Sequence, residues 1–182
     1  MHLSPEILSL QCATVCAAAA SVTDLRSRRI PNWLTGPAFL LGIALHLGLG
    51  GLRGAGVALL ASLIAGSVFF VFFIAGGMGA GDVKLMAAVG ALAGLHPLTG
   101  ILIATALLGA VAAVGLALAN GRLRETFGNA GALLAHHQSN GFTAHPELNV
   151  RNGGMLRLPY ALPICGGCLV TLCATFYGVS AL

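Results

Sequence analysis

Residues 55–77 read AGVALLASLIAGSVFFVFFIAGG, without one charged side chain. An α-helix needs about 20 apolar residues to cross a bilayer, and this run supplies them. Its most apolar part is VFFVFFI, residues 68–74. No polar stripe recurs at helical spacing, so the run does not read as the half-wet helix of a soluble protein. The rest of the chain agrees with it. Of 182 residues, 57% are hydrophobic and 8% charged, against about 25% charged in an ordinary soluble domain. Mean hydropathy is +0.92. A disordered chain and an ordinary soluble globule are both excluded by these values. The 26 glycines have no G-X-Y period, so they point away from collagen and toward closely packed membrane helices.

On either side of this run, further apolar stretches occupy about 5–22, 32–50, 82–95, 98–119 and 159–179, which makes six with 55–77. The expected fold is all-α: a polytopic membrane protein of about six transmembrane helices forming a single domain over 1–182. The run at 82–95 is short for a crossing. Ile30-Pro31-Asn32 reads as a helix start, with Asn32 as the candidate N-cap. Trp33 lies where an interfacial aromatic belongs. Ala17 to Ala20 resembles a signal-peptide cleavage site, but no Lys or Arg precedes the apolar run. Arg26, Arg28 and Arg29 come after it instead, so a retained helix is expected.

Charge sets the expected orientation. With the N-terminus outside, the inner segments are 23–31, 78–84 and 120–158. They contain Arg26, Arg28, Arg29, Lys84, Arg122, Arg124, Arg151 and Arg157, leaving only Arg53 of the nine basic residues outside. The net charge of +4 is thus read as a mark of orientation in a lipid bilayer, with no nucleic-acid partner. The inner loop 120–158 is the one long loop. Leu123, Phe127, Ala130, Leu133 and Leu134 recur there at roughly helical spacing, as in a short helix lying on the membrane.

Among the five acids, only Asp24 and Asp82 are aspartates. Two crossings separate them, and an even number of crossings returns the chain to the side it left. Both carboxylates are therefore expected at the cytoplasmic boundary. Acids inside membrane segments are costly and usually face the bundle interior at functional sites. Two carboxylates brought together share a proton. One can then take a proton from water while the other polarises a peptide carbonyl. Gly76, Gly77, Gly79 and Gly81 precede Asp82. They would let the backbone turn or another chain approach; equally, Gly77-x-x-x-Gly81 and Gly90-x-x-x-Gly94 fit close helix packing. Lys84 either tunes the field at Asp82 or extends to the interface.

Gly79-Ala80-Gly81-Asp82-Val83-Lys84 resembles the GxGD motif of membrane aspartyl proteases, in the GxGDxK form of the type IV prepilin peptidases. Asp24, with Ile30-Pro31-Asn32, resembles that family's DxxxxxIPN stretch, and Pro159-Tyr160-Ala161-Leu162-Pro163 its late Pro-aromatic-x-x-Pro element. The resemblance implies an endopeptidase that removes the short cytoplasmic leader of prepilin-like substrates. It implies Asp24 and Asp82 as catalytic residues. Gly79, Gly81, Lys84, Ile30, Pro31 and Asn32 become supporting motif residues. The expected location is the bacterial inner membrane, with the active site at the cytoplasmic face. Longer members carry an N-terminal domain with paired CxxC motifs, associated with N-methylation. This sequence is expected to begin directly with its first helix, as in the short form that serves Flp/Tad-type pili.

No cofactor and no metal are expected. The only Cys-x-x-Cys, Cys165 to Cys168, has no second pair, and a structural zinc site wants four ligands. Cys12, Cys16 and Cys173 also lie in apolar runs and read as packing residues. His136, His137 and His145 share one loop without an HExxH motif. Glu125 and Glu147 read as a solvated loop face. No GxSxG and no Walker loop occurs. Two other readings use the same acids: a small proton-coupled transporter or channel with Asp24 and Asp82 as a relay, and a non-catalytic scaffold subunit of a pilus machine.

Overall fold

The computed structural model describes residues 4–75, 77–121, 128 and 159–178, and those residues form helices and no strand. The elements are α1 (Pro5–Ser27), α2 (Asn32–Ile74), α3 (Ala80–Ala93), α4 (Leu98–Ala119) and α5 (Ala161–Phe176). Three of them, α1, α2 and α4, are long and apolar enough to cross a membrane. The loop residues 122–127 and 129–158 lie outside the described set, and with them the surface-helix reading, the three loop histidines, Glu125 and Glu147.

α2 joins two runs that the sequence separates. A straight helix of its 43 residues would be about 65 Å long, twice the hydrocarbon thickness. It does not stay straight. Gly50 and Gly51 leave helical geometry, and Gly51 takes φ 60°, ψ −153°, a conformation essentially confined to glycine. The contacts with α3 give the direction of each half. In the first half of α2, Asn32 meets Lys84, Gly42 meets Ala91 and His46 meets Leu92, so this half runs parallel to α3. In the second half, Ala61 and Ala65 meet Gly90 while Gly66 meets Ala87, so this half runs the opposite way. The chain therefore doubles back at Gly50-Gly51, where the sequence ends one apolar run and starts the next.

α3 is the centre of the bundle. Both halves of α2 and α1 pack on it, and Leu85, Met86, Val89, Ala91 and Leu92 are buried on every side. At 14 residues it is about 21 Å long, short for a bilayer. Small residues permit the close packing around it. A Cβ on Gly90 would stand 2.8 Å from the Ala61 carbonyl oxygen and 2.9 Å from the Ala65 Cβ. The buried surface of α1 is likewise small, with Ala13, Ala17 and Ala20 fully enclosed. α5 packs antiparallel on α4, and a Cβ on Gly167 would meet the α4 backbone around Ile101 and Thr105.

The outside is as apolar as the inside. Leu40, Leu63, Phe72, Val111 and Val170 are each more than half exposed. In water such a surface would aggregate; in lipid it is the solvated face. The five cysteines are all free, with Cys16 and Cys168 buried among the helices.

Candidate active site

The last turn of α1 holds the first acid. The apolar run ends near Val22, but the helix continues to Ser27 and buries Asp24, which is 8% exposed. Arg28 then adopts a left-handed conformation, φ 52° and ψ 31°, and donates its backbone N–H to the Asp24 carbonyl oxygen at 2.8 Å. Non-glycine residues visit this region at a cost of about 1–2 kcal/mol. The turn ends α1 abruptly and aims Ile30-Pro31-Asn32 at the start of α3.

The second acid is the third residue of α3. Gly79 is the N-cap in an extended conformation, and its N–H donates to the Asp82 carboxylate at 3.1 Å. A helix N-terminus carries partial positive charge, so a carboxylate is favoured there. The two glycines of the motif have separate tasks. A Cβ on Gly79 would stand 3.2 Å from Asp82 Oδ2, so its absence makes room for the carboxylate. A Cβ on Gly81 would stand 3.2 Å from the Ile30 Cβ, so its absence lets Ile30 pack on α3. The space that the sequence suggested for an incoming peptide is filled by the protein's own groups at these two positions.

Asn32 departs from its expected role as a helix cap. Pro31, not Asn32, is the N-cap of α2, and it makes no side-chain capping bond. Its carbonyl accepts from Leu34 and Thr35. The Asn32 side chain is thereby left for another partner, and Lys84 Nζ donates to its Oδ1 at 3.0 Å. Lys84 thus ties the two motifs together across 52 positions of sequence.

The end of the bundle that holds each acid is fixed by a contact at the far end. Glu6 near the start of α1 meets His96, just past α3, at 2.7 Å. α1 and α3 touch and run antiparallel. Asp24, near the C-terminus of α1, and Asp82, at the N-terminus of α3, therefore lie at the same end of the bundle. The start of α5 joins them there. The Ser21 hydroxyl, one turn before Asp24, shares its proton between the carbonyls of Ala17 and Ala161, each at 2.8 Å. Tyr160 precedes α5 with its ring edge against Gly109. The exposed Arg26, Arg28 and Arg29 gather at this end too, whereas Arg53 lies at the other, beside the Gly50-Gly51 reversal.

The bond of Ser21 to Ala161 and the packing of Tyr160 against α4 were not legible in the sequence. Ser21 has no motif to mark it, and Tyr160 was visible only as the aromatic of a proline-flanked element. Among the described residues no group of three or more His, Cys, Asp or Glu side chains is placed to hold a metal.

The model of the type IV leader peptidase family matches residues 12–114. The chain belongs to this family. The matched span contains the Asp24 turn, Ile30-Pro31-Asn32 and the whole Gly79–Lys84 segment, and it stops before Tyr160. No curated protein and no solved structure gives a match. Membership in this leader peptidase family makes the chain a membrane-bound protease of leader-peptidase type, acting in general on prepilin-like proteins. The Ile30–Gly81 packing and the Asn32–Lys84 bond now have a common reading in this peptidase: they fix the α1–α2 turn against the start of α3.

Proposed function

We propose that this leader peptidase is an aspartyl endopeptidase in which Asp24 and Asp82 act as a pair. It would cut the leader of a prepilin-like substrate at the cytoplasmic face of the bacterial inner membrane, for assembly of an Flp/Tad-type pilus. The observation that carries this reading is that the turn after Asp24 packs directly on the segment that presents Asp82, at the basic end of the bundle. Both acids are then held by short, stiff connections instead of by a long loop.

In this reading one carboxylate is ionised and the other protonated. The ionised carboxylate takes a proton from water as the water oxygen attacks the scissile carbonyl carbon. The protonated one donates to the carbonyl oxygen. Collapse of the tetrahedral species breaks the C–N bond, and the amine leaves with a proton returned by the pair. No covalent enzyme intermediate forms. The proton is held by the pair jointly, so the two acids titrate together.

Six crossings accompany this proposal, counting each half of α2 and the shorter α3 and α5, with the N-terminus outside. Eight of nine basic residues then lie inside, as the positive-inside tendency favours.

The test is purified protein in liposomes with a synthetic peptide containing a basic leader, the junction and the start of a Flp-type pilin helix. Wild type is expected to release the leader, read by mass spectrometry. Asp24→Asn and Asp82→Asn are each expected to lose at least about 1,000-fold in rate, since removing one member of a catalytic unit removes most of its effect. Normal cleavage by either variant would overturn the paired-aspartate reading.

A further inference from the structure

Ala17, Ala20, Ser21 and Asp24 are all buried on α1. Residues three and four apart lie on one side of a helix, so Ser21 and Asp24 share a face, one turn apart. An alanine at position 21 would cover that face as Ala17 and Ala20 do. The hydroxyl adds something that alanine lacks. It reaches across the bundle to the carbonyl of Ala161, the first residue of α5, at 2.8 Å, while also meeting Ala17 of its own helix. Other buried hydroxyls turn back on the helix that carries them: Ser9 to Glu6, Thr14 to Leu10 and Thr171 to Gly167. The Ser21 bond is buried, so water does not compete for either group. Bonds of this kind between membrane helices contribute little to stability on average. What this one does supply is a fixed point between α1 and α5, one turn before Asp24 and close to where α1 ends.

We propose that Ser21 is a positioning residue of the peptidase: its bond to Ala161 fixes the rotation and height of the last turn of α1, and with them the place from which Asp24 is presented. This rests on the paired-aspartate reading. The end of α1 is then held on both sides of the acid. Before Asp24, Ser21 ties the helix to α5; after it, the Arg28 N–H closes the turn on the Asp24 carbonyl and Ile30 packs on Gly81 of α3. Without the first tie, the last turn of α1 can rotate or slide against α5, and a misplacement of about 1 Å is enough to cost a catalytic group most of its effect. Ser21 lies within the span that the family model matches and Ala161 beyond it, so the tie joins the matched region to a helix outside the match.

The test uses the full chain in liposomes with the same synthetic leader peptide, comparing wild type, Ser21→Ala, Ser9→Ala and Asp24→Asn. Ser21→Ala removes only the hydroxyl. We expect kcat to fall about 10- to 100-fold with KM changed less than about twofold, the pattern of a change felt in the reacting state and not in substrate binding. The thermal midpoint should stay within about 3 °C of wild type. Ser9→Ala is the control. It removes a hydroxyl that is equally buried on α1 but bonded within its own helix and distant from Asp24, and it should keep wild-type kcat. Ser21→Ala with wild-type kcat, alongside an inactive Asp24→Asn, would overturn the role of Ser21 and leave the paired aspartates standing. An equal loss of kcat in Ser9→Ala, or failure of Ser21→Ala to fold, would assign the hydroxyl to stability and likewise overturn it. An active Asp24→Asn would overturn both.

Discussion

Gly81 accommodates Ile30 because it has no side chain, and the margin is small. A methyl there would stand 3.2 Å from the Ile30 Cβ, closer than unstrained carbon atoms rest, so one of the two backbones must give. Gly81→Ala is therefore expected to destabilise the contact by about 1–2 kcal/mol and to slow peptide cleavage more than it lowers the thermal midpoint. Ile30→Gly removes the Cβ that the new methyl would meet, which Ile30→Ala would keep. The double variant should recover about 1 kcal/mol relative to the sum of the single changes, because the residues touch. Strict additivity in a double-mutant cycle would mean that Ile30 and Gly81 do not press on each other. Lys84 and Asn32 form the second contact between these segments, and both are exposed, so their bond contributes little to stability. Lys84→Ala should leave the thermal midpoint close to that of wild type.

The reversal within α2 depends on one backbone conformation. Gly51 has φ 60° and ψ −153°, where a Cβ costs about 1–3 kcal/mol. Gly51→Ala should destabilise the protein by that amount in detergent unfolding. Gly48→Ala, at a helical position with open space around it, should be neutral or slightly stabilising. Equal effects would remove Gly51 as the reason the helix reverses. The consequence is large for a single residue, since the two halves of α2 enclose α3 only if the chain turns there. α3 itself could not be stable alone. It is short, and from Leu85 to Ala93 it is apolar all round, so that stretch is held by the neighbours that cover it.

The bundle has chemically different ends. One carries Asp24, Asp82, Lys84 and the arginines after α1; the other carries the Glu6–His96 contact and the Gly50-Gly51 reversal. In the proposed topology these ends face different compartments. With the native cysteines replaced, an impermeant thiol reagent applied from outside should label Ser4→Cys and Leu52→Cys in intact cells. Ser27→Cys should react only after the membrane is opened. All three positions are exposed, so accessibility and not burial decides the result. Labelling of Ser27→Cys and Leu52→Cys from the same side would overturn both the reversal and the cytoplasmic placement of the acids.

Periodicity, charge and two short motifs were enough to read an all-helical membrane protein, its two aspartates and the family to which it belongs. Those features are local: a run without charges must span or be buried, and Asp24 and Asp82 stand out because almost nothing else in the chain ionises. The run boundary near residue 50 was legible as the end of one apolar run, but the reversal was not, since Gly166-Gly167 lie inside α5 without interrupting it while Gly50-Gly51 leave helical geometry. What each supporting residue touches was not local. Asn32 reads as an N-cap until Pro31 takes that place and Lys84, 52 positions away, takes the amide. Gly81 reads as a hinge until Ile30 fills the space beside it. Tyr160 reads as one aromatic between two prolines until the Ser21–Ala161 bond sets it among α1, α3 and α4. A residue's own type and spacing carry its preference for helix or lipid, but a partner across the bundle exists only once the helices have packed.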